Sequence, residues 1–279
     1  MQTAREQSIN SIVERCLDVL RQTPSALLTD IDGTISPMAR TPDEATVLPK
    51  AKEALERLRE QIALVGIVTG RSASVGEALV GLPGLVYVGN HGMEWTEGGH
   101  LKHHASAAVW SDAVRQSLID ITGQATAQGI DQGLVVEDKG LSGSIHYRLA
   151  PDVDRAQAIL LAVAGSVADQ FGLRVTQGRM VIEIRPPVSI TKGTALSDLV
   201  KERGIKGIVF LGDDVTDVDA FVAVRLARES DGVRGLRVGI LSAETPQSVL
   251  DEIDVAVPNV ATCADLLAAV ADGLMPENA

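Results

Sequence analysis

The feature that most limits this chain is a recurring rhythm of short, almost unbroken apolar runs separated by stretches with helical periodicity. SALLT (25–29), IALVGIV (62–68), LVYVG (85–89), GIVFLG (207–212), LRVGIL (236–241) and IDVAV (253–257) are short, and they lack the polar alternation of a half-exposed strand. Parallel strands covered on both faces need runs of this kind. Between them the period changes. Ile9, Ile12, Val13, Cys16, Leu17 and Leu20 fall on one helix face, as do Ala51, Ala54, Leu55 and Leu58 after Pro49. Further helices are expected from Ser72, Thr191, Asp217 and Thr245, and a last one through LLAAVADGL. The alternation predicts a doubly wound, Rossmann-like α/β domain.

Residues 101–185 interrupt that rhythm. They read as a helix (106–127), strand GLVVED, a turn, strand SGSIHYR, a helix (152–171), strand LRVTQ, a turn at Gly178 and strand MVIEI. Strands joined by tight turns pair antiparallel, so this αββαββ stretch is expected to form an inserted α+β cap domain (101–185). The discontinuous core is then 1–100 and 186–279, and one large mixed sheet is the alternative. Gly98-Gly99 and Pro186-Pro187 suit a hinge at the two crossings.

Composition narrows the partners. A net charge of −12 with no block of Lys or Arg disfavours nucleic acid and anionic membrane surfaces, and 3% aromatic residues leave little for base stacking. An anionic substrate must then meet local positive charge. The N-terminal MQTAREQSIN lacks a signal-peptide pattern, and AILLAVAGSVA (158–168) is too short to span a bilayer. Cys16 and Cys263 lie far apart without C-x-x-C spacing, which reads as two buried reduced thiols in a reducing cytoplasm. A monomer is expected, with a homo-oligomer as the alternative.

In open α/β sheets ligands gather at the carboxyl ends of the strands, and polar motifs stand at those ends here. DIDGT puts Asp30 and Asp32 one residue apart, with Gly33 allowing a tight turn. VTGR (68–71) ends a strand and opens a helix, where a hydroxyl and N–H groups suit phosphate oxygens. GDDVTD (212–217) brings Asp213, Asp214 and Asp217 to another strand end, and so many hard oxygen ligands at one rim point to Mg²⁺. In ITKGTAL, Lys192 opposes the dipole at a helix start, which favours an anionic partner. Each motif also has a plain reading: acidic pairs cap helices, and GDDVTD suits a solvated turn or an N-cap.

DxDGT, TGR, a lysine and GDDxTD in this order resemble the haloacid-dehalogenase-like superfamily of phosphoryl-transfer enzymes. The resemblance implies that Asp30 is the nucleophile that becomes an aspartyl phosphate and that Asp32 is the general acid and base. It also implies that Thr69 and Lys192 bind the transferring phosphoryl group. Mg²⁺ would be held by the Asp30 carboxylate, the Asp32 carbonyl and Asp213, with Asp214 and Asp217 assisting directly or through a hydrogen bond. The superfamily pattern usually continues with an acidic residue where this chain has Val218; tuning of the motif is expected there, with the metal retained.

SPMARTPDEA (36–45), GNHGMEW (89–95), VEDKGLSGSIHYR (136–148) and GRMVIEIRP (178–186) resemble the trehalose-6-phosphate phosphatase family, in which a cap of this type closes over a disaccharide. Alternation places Glu137 with Lys139 on one side of the hairpin, likewise Ser144, His146 and Arg148. In the last strand Val181, Glu183 and Arg185 lie opposite Met180, Ile182 and Ile184. The resemblance implies that Glu137, Lys139 and Glu183 contact the unphosphorylated glucose, that Arg148 supports phosphate or sugar, and that Gly70, Arg71, Asn90, His91 and Gly92 line the core side. Cross-strand ion pairs, Glu137 with Lys139 or Glu183 with Arg185, are the alternative use of these charges. His146 and the tryptophans read as structural, and His100, His103 and His104 lack a partnering acid or Cys pattern for a metal.

The implied activity is Mg²⁺-dependent hydrolysis of trehalose 6-phosphate. Its alternatives are phosphatases of sucrose phosphate, glucosylglycerol phosphate or mannosylglycerate phosphate, a phosphomutase, and an inactive regulatory domain.

Overall fold

The computed structural model describes residues 8–97 and 99–275. Met1–Gln7, where no signal-peptide pattern was expected, and Gly98 of the expected hinge lie outside the described residues. The chain divides into two compact units, one formed by residues up to Ala39, Ala45–Lys102 and those from Ile190 onward, the other by Arg40–Glu44 and His103–Ser189.

In chain order, helix α1 (Ile9–Leu20) leads into strand β1 (Ser25–Thr29), helix α2 (Pro49–Leu58), β2 (Leu64–Val68), α3 (Ala73–Val80), β3 (Val86–Gly89), β4 (Glu94–Glu97) and β5 (His100–His103). Helices α4 (Ala105–Ala108) and α5 (Ser111–Ala127), strands β6 (Val135–Asp138) and β7 (Gly143–His146), α6 (Val153–Phe171), β8 (Arg174–Gly178) and β9 (Val181–Arg185) follow. The chain then returns through α7 (Lys192–Glu202), β10 (Gly207–Gly212), α8 (Val218–Ser230), β11 (Arg234–Ile240), α9 (Gln247–Glu252), β12 (Val255–Val257) and α10 (Val260–Leu274).

The large sheet has the order β12-β11-β10-β1-β2-β3-β4-β5, parallel from β12 through β3. Its apolar runs are continuous because each strand feeds two cores. Leu27 packs in a layer with Cys16, Leu55 and Leu267, whereas Ala26 and Leu28 pack in a second layer with Leu196 and Phe221. In the second layer Phe210 meets Phe221 edge to face at 5.4 Å. Truncating a side chain as buried as Leu28 to alanine costs about 2–5 kcal/mol. Cys16 and Cys263 are buried free thiols in the first layer, as expected. Burial pushes the Cys16 thiol up to about 12, and burial first, then the charges of Cys16 and Asp213, raises Cys263 also.

The smaller sheet is antiparallel in the order β6-β7-β9-β8. Ile145, Ile182 and Ile184 pack with Val114 and Leu118 of α5 and Leu160 and Val163 of α6. This is the expected αββαββ insert on a Rossmann-like core. Among the described residues no helix is long and apolar enough to cross a membrane.

Several local expectations are corrected. The helix expected at 106–127 breaks, because the chain tightens at Trp110, whose N–H donates to Ala107 O, and the Ser111 hydroxyl bonds Ala108 O at 2.9 Å. Trp110 turns onto the core of that unit while Val109 is left exposed. Strand β7 stops at His146, since Tyr147 donates its N–H to Met180 O; Arg148 therefore lies in the following turn and not on the strand face with Ser144 and His146. Met180 has a φ of 58° and belongs to the turn before β9, so it does not share a strand face with Ile182 and Ile184. The pair β4 and β5 was not anticipated; their sequences, EWTE and HLKH, carry no apolar run.

Candidate active site

Register builds the site. Thr29 of β1 is level with Leu211 of β10 and Ile67 of β2, and Val68 of β2 with Val88 of β3. The tips that follow, carrying Asp213, Asp30, Thr69 and Asn90, therefore share one rim. Strands β2 and β3 add on one side of β1 while β10 to β12 add on the other, so β1 is the switch point of the sheet.

Asp30 still belongs to the ladder: its N–H donates to Leu211 O at 2.9 Å, which fixes where the carboxylate starts. The next residues wrap tightly, with Ile31 O accepting from the N–H groups of Thr34, Ile35 and Ser36. Gly33 sits in this loop at φ +87°, and a Cβ there would overlap the Asp213 carboxylate. Only glycine satisfies both conditions.

Lys192 is the first residue of α7, whose N-cap Thr191 accepts from Thr194 N. Its side chain is 2% exposed, and the ammonium donates to Asp30 Oδ1 at 2.9 Å and Asp217 Oδ1 at 2.7 Å. The other oxygen of Asp217, Oδ2, accepts from the N–H groups of Asp213 (3.0 Å) and Asp214 (3.1 Å). Gly212 leaves room for this carboxylate, which a Cβ would strike. Asp213 accepts from the Thr34 hydroxyl at 3.3 Å.

Asp30, Asp213 and Asp217 are all buried, with ligand oxygens within 4.8 Å of one another. Burial, joined by the charges of Asp217 and Asp32 and opposed by Lys192, raises the Asp30 carboxyl to about 7. Burial works to lower the Lys192 ammonium, but Asp217 and Asp30 outweigh it and hold it above its ordinary value. The Lys192 ammonium bonds two of these three carboxylates. Hard oxygens, deeply buried and closely spaced, fit a divalent cation. Asp214 is half-buried and lies outside this cluster; exposed His100 and His103 and half-buried His104 do not belong to it either.

Asp32 is engaged differently. Arg71 grips it with two bonds, Nε to Oδ2 at 2.7 Å and Nη2 to Oδ1 at 2.9 Å. Thr69 is buried, and its hydroxyl accepts from Arg71 N at 3.2 Å beside Gly70. Asn90, His91 and Gly92 form a buried 3₁₀ turn after β3, with Asn90 (φ 48°) and His91 (φ 56°) left-handed. Their backbone braces the TGR segment: Asn90 N donates to Arg71 O and His91 N to Thr69 O. Glu94 adds a bond to Ala73 N at the start of α3.

In the second unit Glu137, Ser144 and Glu183 are successive partners across β6, β7 and β9. Lys139 Nζ reaches Glu183 Oε1 at 3.1 Å, the Ser144 hydroxyl donates to the same oxygen at 3.3 Å, and His146 pairs with Glu137 at 2.6 Å. On this face Glu137 meets His146 and Lys139 meets Glu183, two pairs that the sequence reading did not name. Arg148 is elsewhere, donating to Arg179 O at 3.4 Å.

Sequence reasoning did not name Thr34, Glu94, the His146–Glu137 pair or the Arg71–Asp32 pair. For Arg71 the signal was available, since β1 and β2 are neighbours and their tips carry opposite charge.

The profile of the family described as Trehalose-phosphatase matches residues 28–249. The chain is 36% identical over 245 residues to the trehalose-phosphate phosphatase of Mycobacterium marinum, with 81% of this chain and 60% of that protein covered. With the same enzyme of Mycobacterium tuberculosis it shares 34% over 243 residues, covering 82% and 60%. The chain thus spans about 60% of the length of these curated relatives. Among solved structures, the C-terminal domain of Candida albicans trehalose-6-phosphate phosphatase superposes with a TM-score of 0.77 at 19% identity, covering 97% of this chain and 98% of that one. A trehalose-6-phosphate phosphatase related protein gives a TM-score of 0.73 at 22% identity, covering 89% and 97%. Both likenesses establish the fold.

Proposed function

Since the chain belongs to the trehalose-phosphatase family of the haloacid-dehalogenase-like superfamily, we propose that it is a Mg²⁺-dependent phosphatase that hydrolyses trehalose 6-phosphate to trehalose and phosphate. The observation that carries this reading is the buried lysine bonded to Asp30 and Asp217 at the switch-point strand, with Asp213 alongside.

An oxygen of Asp30 attacks phosphorus, and the bond from phosphorus to the sugar oxygen breaks as that oxygen takes a proton from Asp32. The acyl phosphate on Asp30 is then opened by water, which passes a proton to Asp32 while the Asp30 carboxylate departs from phosphorus. Lys192 screens Asp30 from the phosphate dianion, and Thr69 supplies a buried hydroxyl to its oxygens. Asp30 and Asp213, with the Asp32 carbonyl, would hold Mg²⁺; Asp217, whose two oxygens are occupied by Lys192 and by backbone N–H groups, holds the lysine and the metal loop in place. When bound, the ion offsets negative charge on the transferring phosphoryl group.

Glu137, Lys139 and Glu183 offer acceptors and a donor on one sheet face, which suits sugar hydroxyls. Arg148, Asn90, His91, Gly92 and Gly70 complete the proposed substrate contacts. The enzyme acts in the cytoplasm as a monomer, without nucleic acid or membrane.

The test is phosphate release from trehalose 6-phosphate, sucrose 6-phosphate, glucosylglycerol phosphate, mannosylglycerate phosphate and glucose 6-phosphate, with and without Mg²⁺, using Asp30→Asn as the blank. Trehalose 6-phosphate should be turned over fastest, only with Mg²⁺ and not by the variant. Equal or better turnover of glucose 6-phosphate overturns the disaccharide assignment. Phosphoryl return to sugar without net phosphate release would favour a mutase, and an inactive wild type a regulatory module.

A further inference from the structure

Arg71 sits in a motif whose threonine and backbone suit a phosphate, and its own guanidinium would be assigned there too. The geometry shows it engaged with Asp32. Both of its hydrogen bonds to Asp32 fall in the fork geometry of an arginine–carboxylate pair, at 2.7 and 2.9 Å. Asp32 needs such a partner more than Asp30 does: its side chain is 30% exposed against 8% for Asp30, and it stands in a loop beyond the last ladder bond. Packing alone leaves a half-exposed aspartate several rotamers. Arg71 can fix it because Arg71 is itself fixed. Its side chain is 13% exposed, its N–H is bonded to Thr69 Oγ1, and its carbonyl accepts from Asn90 N at 2.7 Å. The stiffness of the β2 and β3 tips is thus passed to a carboxylate one strand away.

We propose that Arg71 is a positioning residue for proton transfer, holding the Asp32 carboxylate in the orientation from which it serves the departing sugar oxygen. This rests on the phosphatase reading above and sharpens it: Arg71 acts through Asp32 and not on the phosphate. A misplaced general acid slows only bond breaking that needs its proton. A sugar alkoxide leaves poorly without one, whereas p-nitrophenolate leaves readily without.

The experiment measures leaving-group release in single turnover, with Mg²⁺, for the full chain carrying Arg71→Ala or Arg71→Lys. Release of trehalose is expected to slow by about 10²-fold, and p-nitrophenolate from p-nitrophenyl phosphate by less than about threefold. Lysine keeps the charge but not the fork, so it should not restore the rate. In an Asp32→Asn background, adding Arg71→Ala should change trehalose release by less than about twofold, because the group it orients is gone. An equal loss with both substrates, an undiminished loss in the Asp32→Asn background, or no loss at all overturns the proposal. Circular dichroism melts of both variants separate these outcomes from misfolding. Should the wild type prefer another alkyl phosphate, the trehalose assignment falls, and the same comparison made with that alkyl phosphate still decides the role of Arg71.

Discussion

Asp217 accepts from Lys192 through one oxygen and from two backbone N–H groups through the other, while fully buried. An asparagine of the same shape has one acceptor and one donor end, so neither orientation fits. If its oxygen faces the backbone, its NH₂ group meets the buried ammonium, and half-breaking such a pair costs about 3–5 kcal/mol. If its oxygen faces Lys192, two buried N–H groups lose their acceptor, at about 1–3 kcal/mol each. The two routes cost about 3–5 and about 2–6 kcal/mol, and the side chain takes the cheaper. With about 2–4 °C lost per kcal/mol in a domain of this size, the melting temperature of Asp217→Asn should fall by about 4–20 °C. Thermal unfolding followed by circular dichroism in EDTA measures this directly, with Asp214→Asn as the control, since Asp214 is half-buried and outside the acidic cluster. A melting temperature for Asp217→Asn within about 2 °C of wild type would refute the view that this carboxylate anchors the site.

Three more outcomes follow from the same geometry. Gly33→Ala places a Cβ onto Asp213 at a left-handed φ, and should cost about 1–3 kcal/mol in chemical denaturation together with most of the phosphatase activity. Glu183→Gln should raise KM for trehalose 6-phosphate by about tenfold or more, with a smaller effect on kcat, because it removes the charge to which Lys139 and Ser144 are bonded. At Asp254, burial works to raise the carboxyl, but hydrogen bonds and charge from Arg237, with Arg228, lower it below the ordinary value. A lowered folded pKa stabilises above the unfolded value near about 4 and loses that contribution as pH falls through the folded value. Unfolding free energy measured between about pH 5 and 2 should therefore fall less steeply for Asp254→Asn than for wild type.

The core strands were legible because burial on both faces leaves no room for polar residues: SALLT and GIVFLG match β1 and β10 residue for residue. Helix starts at Ala73 and Lys192 were marked by capping hydroxyls on Ser72 and Thr191, which bond as such caps should. Strands β4 and β5 were not legible, since β5 is an exposed edge that needs no hydrophobic signature and β4 buries polar residues, Glu94 and Thr96, in place of an apolar run. The break at Trp110 reflects where one indole packs, a tertiary demand that helical periodicity does not record. In the site, residue types announced themselves through motif and strand end. Their pairing did not: Arg71 with Asp32, and His146 with Glu137, join residues 39 and 9 positions apart, and only the register of neighbouring strands brings them together.

The two cysteines give the fold a built-in gauge. They occupy α1 and α10, elements from opposite ends of the described chain that pack in one layer, and burial keeps both thiols protonated and sheltered. An alkylating reagent can reach them only when that layer parts. The rate at which the chain takes up label thus clocks the opening of its amino-terminal helix from its carboxy-terminal one, with no engineered probe.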